Sequence, residues 1–428
     1  MLVGVVLLAA SIGYYARRQL PEPPPRIVGI DLGTTFSSIG IYHAVSGTVE
    51  ILTDGDGNRA IPSVVAFLAN GSVLVGAAAV AQCEHNPTGT IYDAKRFIGR
   101  SFQPDEPAFQ REVERYPFAI GLDHRGFAYF ELPPDSEPPK KTAKRLLYPE
   151  DIGSYIVQHL LSFHASKIDR AVLTVPAEFD QFRRNASQKA LEHAGMNVNR
   201  VISEPTAAAL SYGLHLKPHV DLVIVIDLGG GTLDVSVLWL QSQMFITRSM
   251  AGNNRLGGQD FNERALRRLI QVIHDQHAVN LTDAEDVQTL RLAVESAKLN
   301  LTTQPHTTID VVLASLSREE FDRLNGDLYD RVLEPIEAAL RDADVDKGEV
   351  DEIVLVGGST RVPAVRRIIG EYFGRSPNYG VDPELAVVTG AAIQAGVIGN
   401  SWPLHVAAIE LANDRRKIHI YNSESDMD

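Results

Sequence analysis

Two stretches of the sequence place an aspartate and small residues between runs that are typical of β-strands. Residues 223–237 read VIVIDLGGGTLDVSV and residues 30–42 read IDLGTTFSSIGIY, so that Asp227 and Asp31 occupy matching points. Glycine-rich turns that cradle phosphate usually lead into a helix, whereas each of these leads into a second strand. No G-x-x-x-x-G-K-[ST] or G-x-G-x-x-G motif occurs in the chain. The repeat favours two similar halves, each offering a hairpin turn to one shared ligand.

The composition of the two turns indicates a phosphate and magnesium site. Glycine lets the backbone approach a ligand closely, so that backbone N–H groups can close around phosphate oxygens. Threonine hydroxyls add donors, and each charge-assisted bond contributes about 1.5–3 kcal/mol. Asp31 and Asp227, at the ends of buried strands, can hold hydrated magnesium through its waters. Two ordinary tight hairpins are the structural alternative. The phosphate-binding candidates are Gly33, Thr34, Thr35, Gly229, Gly230, Gly231 and Thr232.

A third glycine-rich turn lies in residues 352–370, EIVLVGGSTRVPAVRRIIG. The pattern predicts an apolar strand, a Gly-Gly turn with a Ser-Thr cap, and an amphipathic helix that begins near Pro363. Gly357 and Gly358 would let a flat ring lie against the backbone, with Ser359 and Arg361 at its edge. Taken alone, the segment is better explained as an ordinary strand-to-helix connection.

The composition is that of an ordinary globular protein and excludes several function classes. The 428 residues suffice for roughly two to three domains. A net charge of −14 leaves no basic excess to neutralise phosphates, so nucleic acid is a poor candidate partner. Cys83 is the only cysteine, which excludes an intrachain disulfide and four-cysteine metal sites.

The amino terminus carries an apolar run, residues 2–16, followed by Arg17, Arg18 and a proline-rich stretch. The run is shorter than the ~17–25 residues of a membrane-spanning helix but suits the apolar core of a secretory signal. A buried first strand or helix is the alternative. Because the arginines follow the run, the positive-inside rule would hold the body of the protein in the cytosol. We expect targeting to a membrane system, with the topology left open.

Six further stretches stand in a fixed order with the three turns. Together these motifs resemble the seventy-kilodalton heat-shock chaperones, whose ATPase domain belongs to the actin and sugar-kinase superfamily. The resemblance runs from Arg26 to about Gly399, and the leader and short length look most like a truncated, microsome-associated member. The stretches are YDAKRFIGR (92–100), AVLTVPAEF (171–179), VISEPTAAALSYG (201–213), NNRLGGQDFN (253–262), VESAKLNLT (294–302) and VDPELAVVTGAAIQAG (381–396).

The resemblance implies an α/β, actin-like ATPase fold. Its two lobes would each be built on a duplicated ribonuclease-H-like unit, with the nucleotide in the central cleft. Lobe I would hold residues 26–216 plus 379–400, and lobe II residues 217–378. Residues 1–25 would form a hydrophobic signal or anchor with a proline-rich linker. The tail, 401–428, is too short for a peptide-binding domain, which needs on the order of a hundred residues, and its PLHVAAIE segment is at most a relic strand.

The resemblance also implies roles for individual residues. Lys95 would orient the attacking water and meet the γ-phosphate, while Glu204 and Asp234 would position water or a magnesium-bound water, beside Thr232. A solvated helix charge, a helix-dipole contact and a polar strand face are the respective structural alternatives. Asp31 and Asp227 fall on metal positions. The remaining nucleotide positions carried over are Phe36, Glu295, Lys298, Thr302, Gly357, Gly358, Ser359, Arg361 and Glu384, together with the turn residues above.

Three positions depart from the family pattern. Leu299 replaces an arginine that stacks on adenine, so the contact must become apolar and nucleotide affinity would be weaker. Glu384 stands where an aspartate is usual near the base pocket. Glu178 stands where an aromatic residue is common, although Pro176 and Arg184 match the family's interdomain signalling pair.

The sequence therefore predicts Mg²⁺-dependent hydrolysis of ATP to ADP by a chaperone-related protein of the endoplasmic reticulum or microsomes. The cofactors would be ATP/ADP and Mg²⁺, the protein a monomer bound to membrane through its apolar leader, and its protein partner or exchange factor unknown. A non-hydrolysing, nucleotide-gated binding module is the first alternative, and a small-molecule kinase of the same superfamily the second. Four glycosylation sequons, at Asn70, Asn185, Asn280 and Asn300, would matter only in a secretory compartment.

Overall fold

The computed structural model describes residues 27–44, 46–132, 146–164, 168–278, 281, 284–309, 314–399, 407–408 and 417–421. The predicted signal or anchor at residues 1–25 and most of the tail lie outside the described residues. Within the described part of the chain, no helix combines the length and the apolar character needed to cross a membrane.

The described chain contains both strands and helices, with six strands before the first helix. The strands are β1 Ile27–Leu32, β2 Phe36–His43, β3 Thr48–Ile51, β4 Ile61–Pro62, β5 Val65–Phe67, β6 Val73–Val75, β7 Thr90–Ile91, β8 Ala119–Leu122, β9 Ala128–Glu131, β10 Leu146–Leu147, β11 Arg170–Val175, β12 Asn197–Ser203, β13 Leu222–Leu228, β14 Leu233–Gln241, β15 Met244–Asn253, β16 His306–Ile309, β17 Ala314–Ser317, β18 Glu352–Val356, β19 Ala407–Ala408 and β20 Lys417–Tyr421. The α-helices are α1 Ala77–Val80, α2 Pro107–Val113, α3 Pro149–Leu161, α4 Gln181–His193, α5 Glu204–Ser211, α6 Gly258–His277, α7 Ala284–Leu301, α8 Arg318–Leu324, α9 Gly326–Asp330, α10 Leu333–Ala343, α11 Pro363–Phe373 and α12 Ala386–Ile398. Short 3₁₀ helices cover Pro87–Gly89, Ala94–Arg96, Leu214–Leu216 and Gly358–Arg361.

The first large sheet has the order β12-β11-β1-β2-β3, with β4 also paired to β2. Strand β1 carries Asp31 and runs parallel to β11 on one side and antiparallel to β2 on the other. Val28 and Ile30 in β1 are fully buried, as expected for a strand covered on both faces of its sheet.

The second large sheet repeats this arrangement with the order β18-β13-β14-β15. Strand β13 carries Asp227 and runs parallel to β18 and antiparallel to β14, which continues antiparallel into β15. In each half, therefore, an aspartate-bearing strand lies between a parallel partner and the second strand of its own hairpin. The predicted α/β fold with a duplicated unit is confirmed.

Helices α5 and α12 pack between the two sheets. A Cβ atom at Gly390 in α12 would lie 1.7 Å from the Ala207 carbonyl oxygen in α5, so the two helix backbones touch. A Cβ at Gly29 in β1 would lie 2.2 Å from the Ala392 backbone nitrogen, which shows that α12 also lies directly on the first sheet. One apolar cluster joins these helices to strands of both sheets. The division of the chain into lobes at the boundaries given above stays a prediction.

The described part of the tail lies on the outer edge of the second sheet. Strand β19 pairs in parallel with β15 at Met244 and Phe245, within the segment expected to be at most a relic strand. Strand β20 pairs in parallel with residues 249–253 of the same strand. Backbone hydrogen bonding along β15 is thereby extended on the side away from β14.

Candidate functional site

The two aspartate-led turns face each other in the structure. A Cβ atom placed at Gly230 in the second turn would lie 3.0 Å from the Thr35 hydroxyl oxygen in the first. The tips are thus within contact distance, although they belong to different sheets. This is the arrangement that one ligand held by both turns requires.

The first turn is held by a neighbouring strand end. The Ser63 hydroxyl donates to the Gly33 carbonyl oxygen at 2.8 Å, and the Ser63 backbone N–H donates to the Thr35 carbonyl oxygen at 2.8 Å. A Cβ at Gly33 would lie 2.1 Å from the Phe36 carbonyl oxygen, so this tight bend accepts only glycine. Phe36 itself is half exposed at the start of β2.

The second turn is held at the carbonyl of Gly229. The Gly229 backbone N–H donates to the Thr232 carbonyl oxygen at 3.0 Å and closes the hairpin. Its carbonyl oxygen accepts from the Gly258 N–H at 3.1 Å, at the start of α6, and from the Ser359 hydroxyl at 2.7 Å. Helix α6 and the third glycine turn therefore fix the second hairpin together.

The predicted catalytic lysine and glutamate form an ion pair beside these turns. Lys95 lies in the 3₁₀ helix Ala94–Arg96 and Glu204 at the first position of α5, and the Lys95 Nζ donates to the Glu204 Oε1 at 2.7 Å. Burial lowers the pKa of Lys95, but the carboxylates of Glu204 and Asp31 outweigh it and raise that pKa overall. Lys95 therefore stays charged in the site.

The two aspartates that end the buried strands have raised pKa values. Burial first, and then Glu204, raise the pKa of Asp31 to about 6, against the lowering effects of Lys95 and of the Thr174 hydroxyl. That hydroxyl donates to the Asp31 Oδ1 at 2.9 Å. Burial, Glu204 and Asp31 raise the pKa of Asp227 to about 8. Both carboxyl groups therefore bind a proton more readily than an exposed aspartate does.

Asp234 adds a third aspartate to this cluster. It lies directly opposite Asp227 in the register of β13 and β14. Burial, and then the carboxylates of Glu178, Asp227 and Glu204, raise its pKa well above the usual range, while the Thr232 hydroxyl lowers it. Two carboxylates across one strand pair repel each other unless a cation or a proton is shared.

The acidic cluster fits a hydrated divalent cation. Five carboxylates, those of Asp31, Glu178, Glu204, Asp227 and Asp234, influence one another around the single ammonium group of Lys95. Among the described residues, no three His, Cys, Asp or Glu side chains are grouped to ligate a metal ion directly. Magnesium keeps several of its waters when it binds protein, and its water-mediated binding by Asp31 and Asp227 stays a prediction.

Part of the predicted nucleoside-binding set meets at Gly258. The Lys298 Nζ, on a largely buried side chain, donates to the Glu295 Oε2 at 2.8 Å and to the Gly258 carbonyl oxygen at 3.4 Å. A Cβ at Gly258 would lie 2.5 Å from the Ser359 Oγ. Thr302 lies outside this cluster among the described contacts, since its hydroxyl donates to the Leu299 carbonyl oxygen at 2.7 Å.

The rest of the set lies around the third glycine turn. Gly357 has φ of 82°, which favours glycine, and Gly358 lies so close to Glu384 that a Cβ there would be 2.7 Å from its Oε1. Arg361 donates to Asp382 and, at 3.5 Å, to Glu384. The side chain of Leu299 is 54% exposed, so it is available for an apolar contact but supplies no charge.

Two residues near the turns were not predicted from the sequence. A Cβ at Gly231 would lie 2.2 Å from the Arg96 Nη2, and the Arg96 Nη1 donates to the Asn254 carbonyl oxygen at 3.4 Å, so Arg96 links the two halves. Arg96 could have been noticed because it directly follows Lys95 in the sequence. Thr174, the partner of Asp31, could have been noticed as a polar residue in the otherwise apolar end of β11.

Comparisons with known proteins identify the family of the chain. The family model described as Hsp70 protein matches residues 27–412. Heat shock 70 kDa protein 13 of Mus musculus, the member also called Stch, is 41% identical over 96% of this chain and 97% of its own length. The Homo sapiens protein of that name is 41% identical over the same shares. Heat shock 70 kDa protein BIP3 of Oryza sativa is 39% identical over 87% of this chain and 56% of its own length. The chain belongs to the Hsp70 family, whose nucleotide-binding domain has the actin-like ATPase fold.

Proposed function

We propose that this protein hydrolyses ATP to ADP and phosphate in a magnesium-dependent reaction, with the phosphates held between the two aspartate-led turns. The observation that carries the proposal is the contact of the two turns beside the Lys95–Glu204 ion pair and the buried acidic cluster. The family to which the chain belongs supports the assignment.

The turns and Lys95 bind and stabilise the reacting phosphates. Backbone N–H groups of residues 33–35 and 230–232 donate to phosphate oxygens and offset the negative charge of the phosphates. The turns are already folded, so little rearrangement of the backbone is needed. Lys95 stabilises the charge spread over the γ-phosphoryl group while water attacks in line and the bond to the β–γ bridging oxygen breaks. Bound magnesium would supply charge neutralisation to the phosphates, held through water by Asp31 and Asp227.

The acidic side chains position the water and the lysine. Glu204 fixes Lys95 by its 2.7 Å hydrogen bond and presents a second oxygen to water. Asp234 and Thr232 accept and donate hydrogen bonds at the other side of the cleft. The nucleoside lies against Glu295, Lys298 and Ser359, with Leu299 making an apolar contact in place of a cationic one.

The proposed cellular location rests on the sequence outside the described residues. The apolar run at residues 2–16 targets the chain to the endoplasmic reticulum or microsomes and associates it with the membrane there. The body is a monomer whose protein partner or exchange factor regulates a chaperone-related cycle. Protease protection in sealed microsomes tests this: protection of the body indicates a lumenal location, and digestion without detergent a cytosolic one.

Single-turnover hydrolysis of ATP by wild type and by Lys95→Ala tests the activity. We expect the variant to lose at least about a hundredfold in rate, while Lys217→Ala, which removes a lysine from an exposed ion pair with Glu352, hydrolyses ATP at the wild-type rate. Equal, background-level rates in wild type and Lys95→Ala would favour the non-hydrolysing, nucleotide-gated module. Transfer of phosphate to a sugar rather than to water would favour the small-molecule kinase.

A further inference from the structure

Glu178 is a buried carboxylate beside the acidic cluster to which the proposed mechanism gives no role. It lies between β11 and α4, and its side chain is 16% exposed. Its Oε1 lies 3.6 Å from the Arg183 Nη1, beyond good hydrogen-bond distance. Its other oxygen, Oε2, is buried and has no hydrogen-bond partner in the described structure.

Glu178 lines a small cavity together with three predicted site residues. Glu204, Asp227 and Asp234 line the same cavity, as does Ser236. Its volume is about 10 Å³, close to the smallest that holds one water molecule, and a buried water needs two to four polar partners. The carboxylates and the hydroxyl supply those partners.

An ion pair with Arg183 accounts for only one of the two carboxylate oxygens of Glu178. The Arg183 guanidinium lies 3.5 Å from the centroid of the Phe179 ring, so it is fixed largely by stacking. Pairing with Arg183 engages Oε1 and leaves Oε2 without a partner. Glu178 is also the foremost charged neighbour in raising the pKa of Asp234, which agrees with a position next to that side chain.

We propose that Glu178 is a further positioning residue of the hydrolytic site. Its Oε2 accepts a hydrogen bond from a water molecule, and the same water donates a second hydrogen bond to the Asp234 carboxylate. Through this water Glu178 fixes the orientation of Asp234, and Arg183 in turn fixes Glu178. The role in catalysis rests on the proposed ATP hydrolysis, whereas the water site does not depend on it.

Two double variants separate the acceptor oxygen from the ion pair. Glu178→Gln with Arg183→Met removes both charges and keeps an acceptor at residue 178. Glu178→Met with Arg183→Met also removes both charges but lacks the acceptor. Neither leaves an unpaired charge buried, so both retain the fold, which thermal unfolding and ADP binding check.

We expect single-turnover hydrolysis to be at least about tenfold slower in the Met/Met protein than in the Gln/Met protein, with ATP dissociation constants within about threefold. High-resolution crystal structures should show the water between residue 178 and Asp234 in the Gln/Met protein and not in the Met/Met protein. Equal rates, or a cavity without water in the Gln/Met protein, would overturn the proposal. Absence of hydrolysis in wild type would instead contradict the proposed function, and the crystal structures would still decide on the water site.

Discussion

The two aspartate-led turns share a backbone plan but differ in the charge that they bury. In the first half, Asp31 lies opposite Ser38 across the hairpin, whereas in the second half Asp227 lies opposite Asp234. Asp31 also accepts a hydrogen bond from Thr174. Burial and then Glu204 raise the pKa of Asp31 to about 6, and burial, Glu204 and Asp31 raise that of Asp227 to about 8.

We infer from this difference that the two halves contribute differently to the proposed site. The first half contributes Lys95, which partly compensates the charge of both Asp31 and Asp227, and the Thr174 hydroxyl, which partly compensates that of Asp31. The second half holds two aspartates across one strand pair, an arrangement that destabilises a sheet unless something offsets the repulsion. Violations of this kind are expected at functional sites, and a cation shared by the two turns would offset this one.

Removing the carboxylate of Asp227 or of Asp31, one at a time, should have the largest effect on the rate of ATP hydrolysis. We expect Asp227→Asn to reduce single-turnover ATP hydrolysis by at least about a hundredfold. Asp31→Asn should reduce it less, because the Thr174 hydroxyl already compensates part of the Asp31 charge. Rates are measured at saturating Mg·ATP. A greater loss in Asp31→Asn than in Asp227→Asn would contradict the inferred difference between the two halves.

A second substitution gives one position of the second hairpin the residue type found at the matching position of the first. Asp234→Ser gives the second turn the residue type of Ser38, so it should slow hydrolysis by about tenfold. In EDTA the same change should raise the free energy of unfolding by up to about 1 kcal/mol, since it removes one of two buried carboxyl groups that face each other across the strand pair. Urea unfolding measures this, with the exposed Asp56→Ser as control. A lower stability would show that Asp234 contributes to the fold without metal.

The pH dependence of stability should separate the two aspartates. A carboxyl whose pKa is higher in the folded than in the unfolded state stabilises most when protonated, so its contribution falls as pH rises. For Asp227 this loss should run from about pH 4 to about pH 8, and for Asp31 it should end near pH 6.

Urea unfolding in EDTA between pH 5.5 and 8 measures this loss, and Mg·ADP should reduce it. We expect Asp227→Asn to reduce the wild-type slope above about pH 6.5, with Asp31→Asn changing it little there. Asp234, whose pKa is also raised, accounts for slope that remains. A slope that is as steep in Asp227→Asn as in wild type would place the titration elsewhere.

The smallest expected effect concerns the partner of Asp31. Thr174→Val removes a hydrogen bond that favours the charged carboxylate, so the pKa of Asp31 should rise towards that of Asp227. The acid limb of the hydrolysis rate should move up by about one pH unit or less, with the rate near pH 8 almost unchanged. Thr174→Ser keeps the hydroxyl and should retain the wild-type profile, and a shift in both variants would point to packing instead.

The turns could be predicted from the sequence because their signal is local. Asp, Leu and Gly after an apolar run specify a tight bend at a strand end, and its occurrence at both Asp31 and Asp227 indicated the duplication that the sheets confirm. The third turn could be recognised as a strand-to-helix connection in the same way. Its hydrogen bond to Gly229 could not, because it joins distant parts of the chain.

Contacts between distant segments could be identified only from the family resemblance or from the structure. Lys95 and Glu204 lie 109 positions apart and carry no local pattern that pairs them. Glu178 was noticed only as a departure from the family, and its place in the cavity depends on how β11, α5 and the second hairpin pack. The roles of the individual site residues and the lobe boundaries stay predictions.

A crystal structure with magnesium and a non-hydrolysable ATP analogue tests the shared ligand most directly. We expect phosphate oxygens within about 3.2 Å of backbone nitrogens in both turns, at residues 33–35 and 230–232, and a cation that reaches Asp31 and Asp227 through water. An analogue bound by one turn alone, or lodged outside the space between them, would contradict the account.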